Sequence, residues 1–313
     1  MRVSGFGRYA LSVCVAAAFL AGCGGQASNG AMPSGVPDSS LPHHKTFNYT
    51  GAAQDFTVPA GVTHISVVAR GGAGAGTSAG PGGNGGRVHA IIPVTPGEKV
   101  FVLVAGPASD ASGGFNGGAT GGKGVDCRSC TGYGGGGASD IRLVGDKLSD
   151  RILVVGGGGG GGGLGEPFST SIPPPGYGGK GGGSTGGSGS MGDGGGGGGR
   201  GGTQSNGGAG GAGGAGIYHR TNGRAGKSGS LADGGTGGAS RPSGYGNGGG
   251  GGGGGGYYGG GGGGGGGAWP SGPDTSGGGG GGGSSYVERS ATNVHMWQGW
   301  KNATTNGLVV LSW

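Results

Sequence analysis

Short bursts of alternating apolar and polar residues recur along this chain, each the length of a β-strand. Phe47 to Thr50, Asp55 to Val58 and Val62 to Ala69 come first, and in the third burst Ile65, Val67 and Ala69 share one face, because successive strand side chains point to opposite sides. Val58-Pro59-Ala60-Gly61 reads as the turn between the second and third. Gly86 to Val94 and Glu98 to Ala105 follow, joined by Pro96 and Gly97 in the order a type II turn requires, which predicts a hairpin. Val100, Val102 and Val104 face one way and Phe101 and Leu103 the other, so that strand is expected to be covered on both sides. "ASDIRLVG" (138–145) and "RILVV" (151–155) add two more strands, and "NGLVVLSW" (306–313) reads as a turn and a terminal strand. No stretch of comparable length has a 3.6-residue period, so the expected fold class is all-β.

A lone terminal strand is stable only if it pairs, and the sheet available to it lies at the other end of the chain. The residues from 156 to 285 then form an insertion whose two ends are held together. That insertion opens on eight consecutive glycines, Gly156 to Gly163. Glycine makes up 104 of 313 residues and hydrophobic residues only 31%, so one large apolar core is out of reach and something else must hold much of the chain. Ordering a residue costs about 1–2 kcal/mol, which favours a disordered linker where so little apolar area returns. The closing strand, the repeated long runs and the aromatic residues Tyr177, Tyr218, Tyr245, Tyr257 and Tyr258 favour order instead. The expected form is an array of polyglycine-II strands, three residues per turn, whose amides bond to neighbouring strands. Collagen is excluded: the glycines come in runs and the 15 prolines are an ordinary share.

The first residues carry an export signature. Arg2 and Arg8 precede an apolar stretch, Ala10 to Leu20, that is too short to span a bilayer as an anchor. Leu20-Ala21-Gly22-Cys23 resembles the lipobox of bacterial lipoproteins, which implies cleavage before Cys23 and acylation of that residue. Two or more acyl chains would hold the protein stably in lipid, and Gly24, where an aspartate would imply inner-membrane retention, favours an outer-membrane destination, facing the periplasm or the cell surface. The expected organisation is a signal peptide over 1–22, a flexible tether over 23–44, a β-sandwich over 45–155 plus 286–313, and a glycine-rich insertion over 156–285. His43 and His44 sit in the tether without converging partners, so no metal site is read there.

Chemical motifs appear and fail on inspection. "GGATGGK" (117–123) has Walker spacing, but Gly124 stands where a Ser or Thr is needed, and "TNGRAGKS" has Thr221 at the first required glycine. Two G-x-S-x-G matches, 76–80 and 182–186, are expected by chance in so glycine-rich a chain, and no helix follows either. No catalytic residue, metal or cofactor is therefore expected. The net charge of +6 comes from 19 scattered Lys and Arg without a basic run, which argues against a nucleic-acid partner. Cys127 and Cys130 form a C-x-x-C pair, open to a short-loop disulfide, a redox pair or half a metal site; the disulfide is favoured because no second Cys pair and no thioredoxin-like pattern accompanies it.

The order of blocks adds a resemblance. "FNYTGAAQDFTVPAGVTHISVVARGG", "GGNGGRVHAIIPVTPGEKVFVLVAG", "GGFNGG", "GGGGASDIRL", "DRILVVGGGGGGGG" and "GGGSSYV" together resemble the glycine-rich ectodomain module of the anaplastic-lymphoma-kinase class of receptor tyrosine kinases and of many bacterial surface proteins. The resemblance covers about 45–313 and implies a jelly-roll sandwich like that of tumour-necrosis-factor folds, from which polyglycine-II strands project. The kinase signatures are absent, so no kinase activity comes with it. In the receptors the region binds protein ligands, and certain phage adhesins use a similar glycine scaffold to present recognition loops. Two functions are thus expected: a binding or adhesion module for a surface glycan or protein, contacting it through Trp269, Trp297 and Trp300, or a structural envelope or matrix component without a specific ligand.

Overall fold

The computed structural model describes residues 41–125, 127–165, 174–216, 221–241, 247–268, 275–300 and 306–313. Among the described residues ten strands form: β1 (His44–Phe47), β2 (Gln54–Thr57), β3 (His64–Arg70), β4 (Arg87–Pro93), β5 (Lys99–Leu103), β6 (Ser139–Leu143), β7 (Arg151–Val155), β8 (Tyr286–Val287), β9 (Thr292–Trp297) and β10 (Leu308–Ser312). They pair antiparallel in two five-stranded sheets, ordered β1-β10-β3-β4-β9 and β2-β5-β6-β7-β8. Two 3₁₀ turns, Arg128–Cys130 and Leu148–Asp150, are the only helical elements among the described residues.

Alternation along the strands makes the core. Ile65, Val67 and Ala69 of β3, Val88, Ala90 and Ile92 of β4, and Val309 and Leu311 of β10 are fully buried with Val100 and Val102 of β5, Ile141 of β6 and Leu153 of β7. Each Val, Leu or Ile so buried contributes about 1.5–3 kcal/mol. The terminal strand closes the first sheet as its isolation required: β10 lies between β1 and β3, with Val309 opposite both Phe47 and Ala69. Pairing starts before residue 45, since β1 begins at His44 and His43 exchanges backbone hydrogen bonds with Trp313.

The expected hairpin between β4 and β5 does not form. The turn itself is present: Glu98 N–H donates to Thr95 O at 3.0 Å and Gly97 has φ +82°, the value that favours glycine there. Beyond it, Gly97 N–H donates to Val58 O and Val58 N–H to Glu98 O, so the end of β2 captures the outgoing chain. The turn hands the chain from one sheet to the other. The strand β5 is also covered fully on one side only, with Phe101 and Leu103 half-buried. The preceding turn falls one residue later than the sequence suggests, with Val62 N–H bonding to Pro59 O and Gly61 at φ +81°.

The glycine insertion joins neighbouring strands. Its ends leave β7 and enter β8, which pair directly, Val154 opposite Tyr286. Inside it the backbone bonds with a period of three. Gly157, Gly160 and Gly163 donate to Gly255, Gly252 and Gly249; Gly158 and Gly161 donate to Gly72 and Ala75; Gly159 and Gly162 donate to Gly179 and Gly176. The same run accepts bonds from Gly83 and Gly86, from Tyr133 and Gly136, and from Gly277, Gly280 and Gly283. Each central run thus donates to three neighbours and accepts from three others, which satisfies the amides that a disordered chain would leave to water. Segments 71–86 and 106–138, which lie between sandwich strands, join this bundle, so it extends beyond 156–285.

Exposed side chains mark the outer segments of the bundle. The central runs, such as 249–256 and 259–267, are buried throughout, whereas in "GGAGGAGGA" (207–215) the alanines Ala209, Ala212 and Ala215 are the exposed residue of every three. In "GRAGKSG" (223–229) one glycine in three faces inward and the other two positions are exposed. Depth in the bundle sets how many of each three residues must be glycine.

Candidate functional site

Edge strand β9 and its neighbour β4 carry a row of aromatic and cationic side chains on one face. Val88 and Ala90 face the core and Met296 packs against it, so Arg87, His89, His295 and Trp297 point to the opposite face. The register sets them in rows, with Arg70 opposite Arg87, Arg87 opposite Trp297 and His89 opposite His295. Rings and cations then stack: His89 on His295 at 6.3 Å, His295 on Trp297 at 5.6 Å, and the Arg87 guanidinium 4.6 Å from the centroids of both Trp297 and Trp300. His295 is exposed, Trp297 half-buried, and Trp300 only 5% exposed.

The glycine bundle holds this ladder in place. Trp300 N–H donates to Gly85 O, Gly299 N–H to Gly181 O, and Gln298 Nε2 to Thr185 O at 2.8 Å. Ser66 Oγ lies 3.2 Å from His89 Nε2, and His295 Nε2 lies 3.1 Å from Asn293 Oδ1. Burial lowers the pKa of Arg87 from its ordinary value, and the neighbouring charge of Arg70 lowers it further. Among the described residues no carboxylate pairs with either arginine, while Arg142 takes Asp140 in a two-pronged bond at 2.9 and 3.0 Å that Asn116 completes.

A second aromatic group lies beside β7 and β8. Tyr257 stacks on Tyr286 at 4.3 Å, Tyr258 meets Tyr257 edge-on, and Arg151 lies 5.2 Å from the Tyr257 ring. Near the 3₁₀ turn at 128–130, a cavity of about 450 Å³ is lined by Asp110, Ala111, Ser129, Thr131 and Tyr133. Burial raises the Tyr133 phenol above its usual value, with Asp110 adding to the effect. Among the described residues no cluster of three or more His, Cys, Asp or Glu could hold a metal ion.

The residues singled out from the sequence fare differently. Cys127 and Cys130 are joined by a disulfide, with Cα atoms 5.3 Å apart. Trp297 and Trp300 are brought together, 6.0 Å between ring centroids, with Trp297 at the end of β9 and Trp300 sealed beneath the surface. Cys23, Trp269, Tyr218 and Tyr245 lie outside the described residues. No described helix is long and apolar enough to cross a membrane. The arginine pair escaped sequence reasoning although its signal was present. "VARGG" ends one strand and "GGRVH" starts the next, so antiparallel pairing across the glycine loop sets Arg70 opposite Arg87. The chain matches no protein-family model and no curated protein.

Proposed function

We propose that this chain is a non-enzymatic binding or adhesion module, lipid-anchored through Cys23 to a bacterial outer membrane. In this reading the two sheets form a jelly-roll sandwich and the glycine runs a polyglycine-II bundle, whose period-three hydrogen bonding is the expected pattern for strands with three residues per turn. The observation that carries the functional reading is the His89–His295–Trp297–Arg87 ladder on an edge strand, braced by backbone bonds from the bundle. Aromatic anchors on a rigid support are what binding surfaces concentrate, because little side-chain freedom is lost on contact. Trp297 and His295 are the contact residues in this proposal; Trp300 serves from below by fixing Arg87, and Trp269 remains a candidate contact.

Glycan and surface-protein arrays probed with the protein test the reading. Saturable binding that Trp297→Ala and His295→Ala weaken supports it. Absence of saturable binding on either array favours the alternative, a structural envelope or matrix component in which the bundle is the working part.

A further inference from the structure

The Arg87 guanidinium lies among indoles and lacks acceptors. Its carbon is 4.6 Å from the ring centroids of both Trp297 and Trp300, which lie 6.0 Å from each other, so the two rings sit side by side and not on opposite faces. A ring supplies no oxygen lone pair to a guanidinium N–H. Arg87 is 3% exposed, and its Nε and Nη1 are enclosed without an acceptor. Two neighbours repeat the condition: Nε of Arg70, directly opposite on β3, and Nε1 of Trp300 are enclosed donors without acceptors. Buried donors left unmet are rare, and charged ones are costly.

We propose that this corner of the β3–β4–β9 face receives one oxyanionic group of the ligand, a carboxylate, sulfate or phosphate. The inventory of lone pairs favours an oxyanion over a bridging water. Four enclosed donors on adjacent side chains need acceptors, and a water offers two lone pairs where a carboxylate offers about four. Charge points the same way. Arg70 and Arg87 sit in one cross-strand pair with no described carboxylate between them, and a neutral water relieves none of their repulsion. Arginine's planar fork matches carboxylate, sulfate and phosphate oxygens in pairs. Of the two rings against Arg87, Trp297 is the half-buried one, on the edge strand of its sheet, so it borders the route by which the group enters.

The proposal deepens the binding-module reading and rests on it for the ligand's being borne by another surface. The test uses the full chain in mild detergent. Its melting temperature is followed in low millimolar acetate, sulfate and phosphate against chloride at matched ionic strength, then its retention on polyuronate, sulfated-polysaccharide and neutral dextran beads. Stabilisation by at least one oxyanion is expected, with affinity about tenfold or more weaker in Arg87→Gln, because bonds between charged partners are the strong ones. Trp300→Phe keeps the ring over Arg87 and removes one donor, so it weakens the response even if Arg87→Gln does not fold. Polyuronate retention assigns the group to a carboxylate, sulfated-polysaccharide retention to a sulfate. Equal responses of wild type, Arg87→Gln and Trp300→Phe to every anion overturn the proposal. Oxyanion stabilisation without retention on any bead sinks the surface-ligand reading and leaves the anion site standing. Retention on neutral dextran that Arg87→Gln does not alter does the reverse.

Discussion

Alanine at central glycines should destabilise the bundle, and the structure sets the scale. A Cβ built on Gly159 lies 2.1 Å from Gly280 O, on Gly252 2.2 Å from Ala119 O, and on Gly254 2.2 Å from Gly157 O. Ordinary carbon–oxygen contact begins about 1 Å farther out, so the facing backbone must retreat by about that much. Forcing extra carbon into a packed interior costs about 1–3 kcal/mol. The retreating segment also carries bonds of its own: Gly280 N–H donates to Gly160 O at 2.9 Å, and Gly159 N–H to Gly179 O at 2.8 Å. One buried amide left unmet adds about 1–3 kcal/mol. Against this, alanine restricts the unfolded chain and returns about 0.4–1 kcal/mol. The net loss is therefore about 1–6 kcal/mol per site, several degrees of melting temperature for a protein of this size. Ala212→Gly is the control, since Ala212 is exposed; a change under about 1 kcal/mol is expected there. Calorimetry of Gly159→Ala, Gly252→Ala and Gly254→Ala, with amide exchange of the parent, checks the argument. Fast exchange across 156–163 and 249–256, with unchanged or raised melting points in the variants, would refute it.

Three other outcomes are expected. Cys23→Ser should release the protein from membranes or block its processing; persistence in the outer-membrane fraction after a salt wash counts against acylation. Deleting 306–313 removes β10 from between β1 and β3 and opens the core at Val309 and Leu311, so cooperative unfolding should vanish; a truncated chain that melts like its parent would contradict that. Burial raises the pKa of Tyr133 and Tyr286 in the folded state, so their contribution to stability should be constant below about pH 10 and fall as pH rises beyond it, because the unfolded chain releases those protons first. Alkaline denaturation of Tyr133→Phe should show a shallower fall; an identical profile removes Tyr133 from the account.

The strands that were legible are those with one face in the core. Ile65, Val67 and Ala69 announce β3 by alternation, and the paired core residues of β10 do the same. The β4–β5 handover was not legible, because Pro96 and Gly97 specify a turn while the partner that captures Gly97 is Val58, distant in sequence. In β9 four of the six residues are exposed, so the period-two signal fades, and its identity depends on pairing with β4. The bundle was legible as order, from chain closure, but its layering was not: the triplets in 207–215 and 223–229 carry a period of three that a search for periods of 2 and 3.6 passes over. The arginine pair needed both the strand ends and the register.

A bundle held by amide-to-amide bonds has an unusual thermal character. Exposing apolar surface on unfolding raises heat capacity, and exposing peptide groups lowers it. The sandwich supplies the first kind of surface; the glycine runs, buried yet nearly without side chains, supply the second. Heat-capacity change per residue should therefore fall below the usual value of about 12–15 cal/mol/K, and the curvature of stability with temperature falls with it. Proteins that rely on apolar burial lose driving force as water cools. This one should keep most of its stability on cooling, so that a surface carried on such a bundle stays in shape across a wide span of temperatures.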